Sequence, residues 1–423
     1  MRRENRRTGA LRILWLAMAL GMLGCWAGEL DQLYPRLSGP LFRFLIAAPF
    51  LSFLVFFGAD RLLCRISPLQ RTGREPSERG RLLLLLLLAI LPRAIWWAAF
   101  PQEINSDYSL YLRMAGHYAE TGTVLTGDYV LKIAPNAALF SVLLGGLMRV
   151  FGTGAEVAQG AGMALHAGNI LLMYALGKRL TEARRAFAAA AIFAILPENV
   201  FYSTLPGNEA LALTLCLLGL WMITKPRVGD GSGAQPGSLW AEALSGLAGG
   251  GLLAFSACIR PNVLAAVLAA GIWMIRKLAA ALRGRFRASY FAMPLAFILG
   301  VAGIVIWNQA FLNRVFPEEK PVSGIGWPLY EGLDLESGGK WTEEKSRHCI
   351  EVIERCSARE ADRLFLTEAL ERFRSYSPDE KIRMFLRKGG SLWYECRYSV
   401  LGLQGTEQYR TLIMIAGGAW FSA

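Results

Sequence analysis

Histidine is nearly absent from this 423-residue chain: there are three, His117, His166 and His348, at no spacing that resembles a metal site. Cysteine supplies no framework either. The seven cysteines form no CxxC pair, and Cys349 and Cys356 in HCIEVIERC would stand about 10 Å apart along one helix, beyond disulfide reach. Zinc coordination and a disulfide scaffold are therefore not expected. A nucleotide-binding GxGxxG turn, an internal repeat and a long linker are missing as well. Charge is scarce. Only 18% of residues are charged while 54% are apolar, and the mean hydropathy of +0.34 excludes an ordinary soluble enzyme of this length. The formal net charge of +12 raises nucleic acid as a partner, but the basic residues sit in short loops between apolar runs, the pattern of cytoplasm-facing loops. No nucleic-acid partner is expected.

What the chain does have is apolar runs near the roughly 20 residues that a membrane span needs. They cover about 10–27, 41–58, 82–100, 158–177, 186–204, 207–224, 240–258, 262–278 and 290–311. The first follows a basic head but lacks a small-residue cleavage site, so it reads as a retained span. Two apolar stretches are too short to span, NAALFSVLLGGLM (136–148) and the terminal TLIMIAGGAWFSA, and each is expected to lie in the interface or dip partway. The terminal one gives the chain a truncated look.

Lysine and arginine set the orientation. The head, the loop from Arg61 to Arg81, GKRLTEARR (178–185), KPR (225–227) and IRKLAAALRGRFR (275–287) belong on the cytoplasmic side. Three crossings then put Asp107 outside. STLPGNEA, SACIRPN and the polar region 312–408 fall on the same face if 136–148 does not fully cross. The expected fold class is an all-α polytopic transmembrane helix bundle of about nine full spans plus short interfacial or re-entrant helices. Its parts are two leading spans with a basic loop (1–81), a core (82–311) with a first outer loop (101–135), an outer helical region (312–408) and a short apolar end (409–423).

The outer loop carries INSDYSLYLRMAG (104–116). Tyr108, Tyr111, Leu112, Ala115 and Tyr118 follow helical spacing, which suits a helix along the membrane surface with its tyrosines at headgroup depth. Asn105 or Ser106 can cap it, leaving Asp107 in the first turn. There Asp107 is either a chemical group or simply an acid favoured by the helix dipole. Arg260 in CIRPN sits at the outer end of a span, as a phosphate ligand or a snorkelling anchor. Lys132 has the same two readings. Arg93 lies roughly 10 Å inside its span and must snorkel, pair internally or face a polar cavity. Asn208 and Glu209 open a span on the outer face, where helix-start stabilisation is the plain alternative to a site role. Glu103, four residues before Asp107, is a candidate second carboxylate. The basic, aromatic stretch RFRSYSPDEKIRMFLRKGGSLWYECRY reads as an interfacial helix.

The order DYSLYLRMA, APNAALFSVLLGGLMRVFG, GKRLTEARRAFAAAAIFAILPENVFYSTLPGNEALALTL and GLLAFSACIRPNVL resembles the GT-C superfamily of polytopic glycosyltransferases, in particular the bacterial protein O-mannosyltransferase and aminoarabinose transferase group. GLDLESGGKW looks like a segment of bacterial members. The likeness covers roughly 80–345, and the two leading spans are additions to the common core. It implies a bacterial cytoplasmic membrane enzyme that transfers sugar, with inversion, from a polyprenyl-phosphate donor to an extracytoplasmic glycan, glycolipid or protein. Asp107 maps onto the general base, with Arg260, Lys132 and Arg93 as candidates for the donor phosphate. Glu103, Tyr108, Tyr111, Asn208 and Glu209 are candidates for the acceptor or a secondary polar role. Members differ in metal use, so no cofactor is fixed and a divalent cation at Asp107 stays open. The competing class is a transporter or flippase of a lipid-linked sugar, which should show paired halves, discontinuous helices and charges near the midplane.

Overall fold

The computed structural model describes residues 77–99, 104–126, 130–224, 238–282, 289–317 and 324–394. The leading spans 10–27 and 41–58, Glu103, KPR (225–227) and the end segment 409–423 lie outside the described residues. Every regular element among the described residues is a helix, and they fall into two compact units, one within Pro76–Pro321 and the other containing 324–394.

The first unit runs α1 (Glu78–Ala99), α2 (Ser106–Thr121), α3 (Val130–Ile133), α4 (Asn136–Phe151), α5 (Ala155–Leu180), α6 (Ala183–Ile195), α7 (Pro197–Phe201), α8 (Glu209–Ile223), α9 (Leu239–Ile259), α10 (Leu264–Leu282) and α11 (Ser289–Val315). Among the described residues four helices, at Glu78–Ala99, Leu239–Ile259, Pro261–Ala279 and Phe291–Val315, are long and apolar enough to cross a membrane. A fifth joins them if α4 and α5, bent by 114° at their junction, count as one broken span. Gly152, at φ 107°, stops α4 at that bend. Leu83, Leu87, Ile90 and Leu91 on α1, and Leu268 and Ile272 on α10, are more than half exposed. Water would penalise such apolar rows heavily, whereas lipid would not.

Two of the expected spans come out differently. The run 186–204 is not one helix: α6 ends at Ile195, Leu196 leaves the helical region (φ −54°, ψ 122°), and the chain restarts at Pro197. A residue before proline is pushed out of the α region by the pyrrolidine ring, which accounts for the break. The run 207–224 forms the 15-residue α8, roughly 22 Å long at 1.5 Å per residue. That falls short of a hydrocarbon core of about 30 Å.

Glycine sets the spacing in the middle of the unit. A Cβ on Gly246 or Gly250 of α9 would lie 2.3 Å from the carbonyl oxygen of Met293 or Phe297 on α11, and one on Gly300 would lie 2.3 Å from that of Leu247. On another side of α9, a Cβ on Gly249 or on Gly219 of α8 would lie 3.0 Å from the carbonyl oxygen of the other. Small residues let helix backbones touch, the main source of packing attraction where lipid removes the hydrophobic drive. α9 is thus seated at fixed depth between two neighbours. Away from it, Tyr174 of α5 donates to Glu78 Oε2 at the start of α1 (2.9 Å), and Lys178 contacts the same carboxylate. Arg179 stacks on the Trp221 ring (3.6 Å) and donates to the Trp221 and Thr224 carbonyls that end α8.

The second unit holds α12 (Gly326–Gly332), α13 (Glu343–Arg355), α14 (Ala358–Ser375) and α15 (Pro378–Tyr394). Ser357 and Glu360 form a capping box at the start of α14. Trp327, Tyr330, His348 and Phe365 make its aromatic centre, with centroids 5.2 to 6.0 Å apart. Between α12 and α13 the chain turns through Gly338 and Gly339, both at positive φ (64° and 76°). Lys345 is buried behind that turn and bonds Asp334 Oδ2 (2.7 Å), Ser337 Oγ (2.5 Å) and the Lys340 carbonyl (3.1 Å). Burial alone would raise the Asp334 carboxyl, but the bonds from Lys345 and Ser337 hold it below the ordinary aspartate value. Arg387 and Lys388, from the basic stretch, donate to the Leu335 and Gly332 carbonyls of the same turn (3.4 and 3.1 Å).

Candidate active site

Asp107 enters the structure on a strained start. Asn105 takes the N-cap place of α2 with extended backbone but makes no side-chain cap bond, and Ser106 sits at φ 52°, in the left-handed region. A non-glycine residue there costs on the order of 1 kcal/mol or more and persists only where the surroundings hold it. α2 then buries Leu110, Tyr111, Met114, Ala115 and Ala119. That face packs on α4. Tyr111 meets Phe140 edge to face at 5.2 Å, and a Cβ on Gly145 would lie 2.6 Å from the Ala115 carbonyl oxygen. The apolar side of α2 is therefore occupied by protein.

Two other chain segments complete the place. α9 ends at Ile259 because Arg260 precedes Pro261, and Arg260 is extended at φ −138°, ψ 108°. The Ile259 carbonyl, left open by the helix end, accepts from Asn208 Nδ2 and from Asn136 Nδ2, both at 3.1 Å. One main-chain oxygen thereby ties the end of α9 to the starts of α8 and α4. Asn208, 1% exposed, also donates to the Tyr111 hydroxyl (3.4 Å). Its amide oxygen accepts from Arg260 Nη1 (2.6 Å), which also meets Glu209 Oε1 (2.7 Å). The Arg260 and Glu209 side chains are 35% and 31% exposed, so this ion pair is reachable from outside.

Asp107 stands beside that pair with no hydrogen bond to any described residue, its side chain at the surface. Desolvation by neighbouring protein raises its carboxyl above the ordinary value, the Glu209 charge adds to the rise, and Arg260 opposes it. Burial, and then the same carboxylates, push the Tyr108 and Tyr111 phenols upward too, so both remain protonated donors. Tyr108 lies against residue 207: a Cβ there would come within 2.8 Å of its ring and 2.0 Å of Glu209 Oε2, so any larger residue would displace the folded-back glutamate. The place therefore offers an acceptor-only carboxylate, a guanidinium, two phenols and a carboxamide within one electrostatic neighbourhood.

Of the residues singled out by sequence, the structure brings together Asp107, Tyr108, Tyr111, Asn208, Glu209 and Arg260. Lys132 is half-buried on the four-residue α3. Arg93 pairs internally. It is 1% exposed and donates to the Ala89 carbonyl (2.7 Å), the Ala194 carbonyl (3.1 Å) and the Asn199 carbonyl (3.2 Å). Those last two carbonyls flank the Leu196–Pro197 break. Beside them Asn199 bonds His166 Nδ1 (3.0 Å) and the Phe193 carbonyl (2.8 Å). Glu103 lies outside the described residues. Sequence reasoning missed Asn136, although an asparagine after proline at the head of an apolar run is a cap-like signal. It also missed the Ile259 carbonyl, for which no side chain speaks. Among the described residues no three His, Cys, Asp or Glu side chains gather as a metal centre would need.

No family model matches the chain, and comparison with curated proteins finds no significant match.

Proposed function

We propose that the chain is a GT-C-type membrane glycosyltransferase that moves a sugar from a polyprenyl-phosphate carrier to a hydroxyl acceptor on the extracytoplasmic face. The observation that carries this reading is that an exposed carboxylate, Asp107, with no hydrogen bond to a described residue, shares the electrostatic neighbourhood of a partly exposed guanidinium, Arg260, in a helix bundle with lipid-suited flanks. Asp107 accepts the acceptor hydroxyl proton as the oxygen bonds to the anomeric carbon. The bond from that carbon to the carrier phosphate oxygen breaks, and its electron pair leaves with the polyprenyl phosphate. Arg260 stabilises the charge gathering on that phosphate. Asp107 afterwards returns its proton to water. The rise in the Asp107 carboxyl makes it a stronger base than an aspartate free in water, at the cost of a higher acid limit for activity.

The test supplies purified protein with polyprenyl-phosphate sugars and candidate acceptors. Asp107→Asn should lower turnover by roughly 10²- to 10⁴-fold with little change in donor binding. Equal turnover removes Asp107 from the base role.

One observation favours the second reading, a transporter of the lipid-linked sugar. The helix break between α6 and α7 has a charged residue, Arg93, inside it, and discontinuous helices with interior charge mark transport paths. Lipid translocation without a new glycosidic bond would select it. The first reading is preferred because the terminal nitrogens of Arg93 are already bound to carbonyls, whereas Arg260, about a third exposed, meets described residues through Nη1 alone.

A further inference from the structure

Arg260 uses its hydrogen-bonding capacity unevenly. A guanidinium carries five N–H donors on three nitrogens, in a planar fork. Here Nη1 alone meets both Asn208 Oδ1 (2.6 Å) and Glu209 Oε1 (2.7 Å), and no described atom accepts from Nε or Nη2. The two acceptors come from neighbouring residues at the head of α8, and each is fixed in its own way. Asn208 is locked by its bonds to Ile259 and Tyr111, while Glu209 is folded over Gly207 in a niche that a single Cβ would fill. A long arginine side chain would otherwise sample many rotamers, so gripping one terminal nitrogen removes most of that freedom while leaving the opposite edge intact.

We infer that Asn208 and Glu209 are positioning residues: by holding Nη1 they reserve the Nε–Nη2 edge of Arg260 for two oxygens of one phosphate. This rests on the reading of Arg260 as the donor-phosphate ligand and adds how that ligand is read. Two parallel N–H bonds to one oxyanion centre are a geometry that lysine cannot reproduce. The edge recognises a phosphate oxyanion, so a free phosphate and a lipid-borne one share the chemistry.

The experiment measures binding, without turnover, to the full chain in lipid nanodiscs, with farnesyl phosphate and inorganic phosphate as probes. Glu209→Ala should weaken farnesyl phosphate binding roughly tenfold, the worth of a disordered bidentate contact. Glu209→Gln keeps the oxygen that grips Nη1 and removes a competing negative charge, so it should bind at least as tightly as the unaltered protein. Gly207→Ala leaves every charge in place and moves the carboxylate, and should fall toward Glu209→Ala. Arg260→Lys should be as weak as Arg260→Ala, and adding Glu209→Ala to either should change nothing further. Weakening of inorganic phosphate in parallel assigns the contact to the phosphate group, and weakening of farnesyl phosphate alone assigns it to the lipid-borne form; both support the grip. Glu209→Gln as weak as Glu209→Ala, full binding by Glu209→Ala, or no saturable binding by the unaltered protein would overturn it. Since no sugar is transferred in this assay, failure of the transferase reading shows separately, as absence of turnover in a protein that still binds phosphate through Arg260.

Discussion

The same unit contains two arginines that differ in what surrounds them. Arg93 is sealed at 1% exposure, and its partners are main-chain carbonyls that cannot move without unfolding a helix. Arg260 is about a third exposed, and its partners are a side-chain carboxylate and a carboxamide. A cation closed onto backbone oxygens repairs the fold, here by bridging the Ala194 and Asn199 carbonyls on either side of the α6–α7 break, while the carbonyl that Pro197 leaves without its helical donor, that of Phe193, accepts from Asn199 Nδ2. A cation held by side chains on one nitrogen remains open to a ligand. Burial alone would have ranked Arg93 as the more unusual residue and so the better site candidate; the identity of the acceptors reverses that ranking.

The contrast can be broken most sharply at Arg93. Arg93→Ala should destabilise the unit by about 3–5 kcal/mol, because carbonyls lose their donors and a cavity opens, seen as a large fall in the thermal midpoint in detergent. If that variant keeps its stability and loses only donor binding, the two arginines have been assigned the wrong way round. Lys345 of the second unit is an intermediate case, buried but paired with a carboxylate. Asp334→Asn should cost about 1–2 kcal/mol and raise amide exchange across 333–345 at neutral pH. The Asp334 carboxyl is held below its ordinary 3.8, so its contribution is complete above that pH and disappears as acid takes the solution below it. Exchange in that turn should therefore rise only at the acid end, and a rise centred near neutrality would contradict the pairing. The smallest effect on stability belongs to Arg260. Arg260→Ala should change it by less than about 1 kcal/mol, as expected for a partly exposed ion pair, while donor binding drops.

Much of the cluster proposed as the site could be picked out in the sequence because its residues mark boundaries: Asp107 lies in the first turn of a helix, Asn208 and Glu209 open another, and Arg260 precedes a proline. Boundary residues announce themselves by type. The role of Arg93 could not be read that way, since hydropathy gives its depth but not which carbonyls a distant break leaves open. That break did have a signal in ILPEN, yet the apolar run through it was long enough to read as one span. The all-helical class followed from hydropathy. Among the described residues the lengths of two spans did not, because α6 ends within the run 186–204 and α8 is shorter than the run 207–224. The surface placement of α2 rested on its tyrosines, but Tyr111 packs on Phe140, and the small residue that lets α4 approach the α2 backbone at Ala115, Gly145, lies far along the sequence on another helix.

The glycines of α9 have a consequence for how this chain can vary. They pin the helix to its neighbours at Gly246, Gly249 and Gly250, and Arg260 emerges ten residues past the last of these. Inserting or deleting one residue between Gly250 and Ile259 would rotate the guanidinium by about 100° and shift it by about 1.5 Å, with every glycine contact kept. The stretch works as a ruler, tolerant of changed letters and intolerant of a changed length.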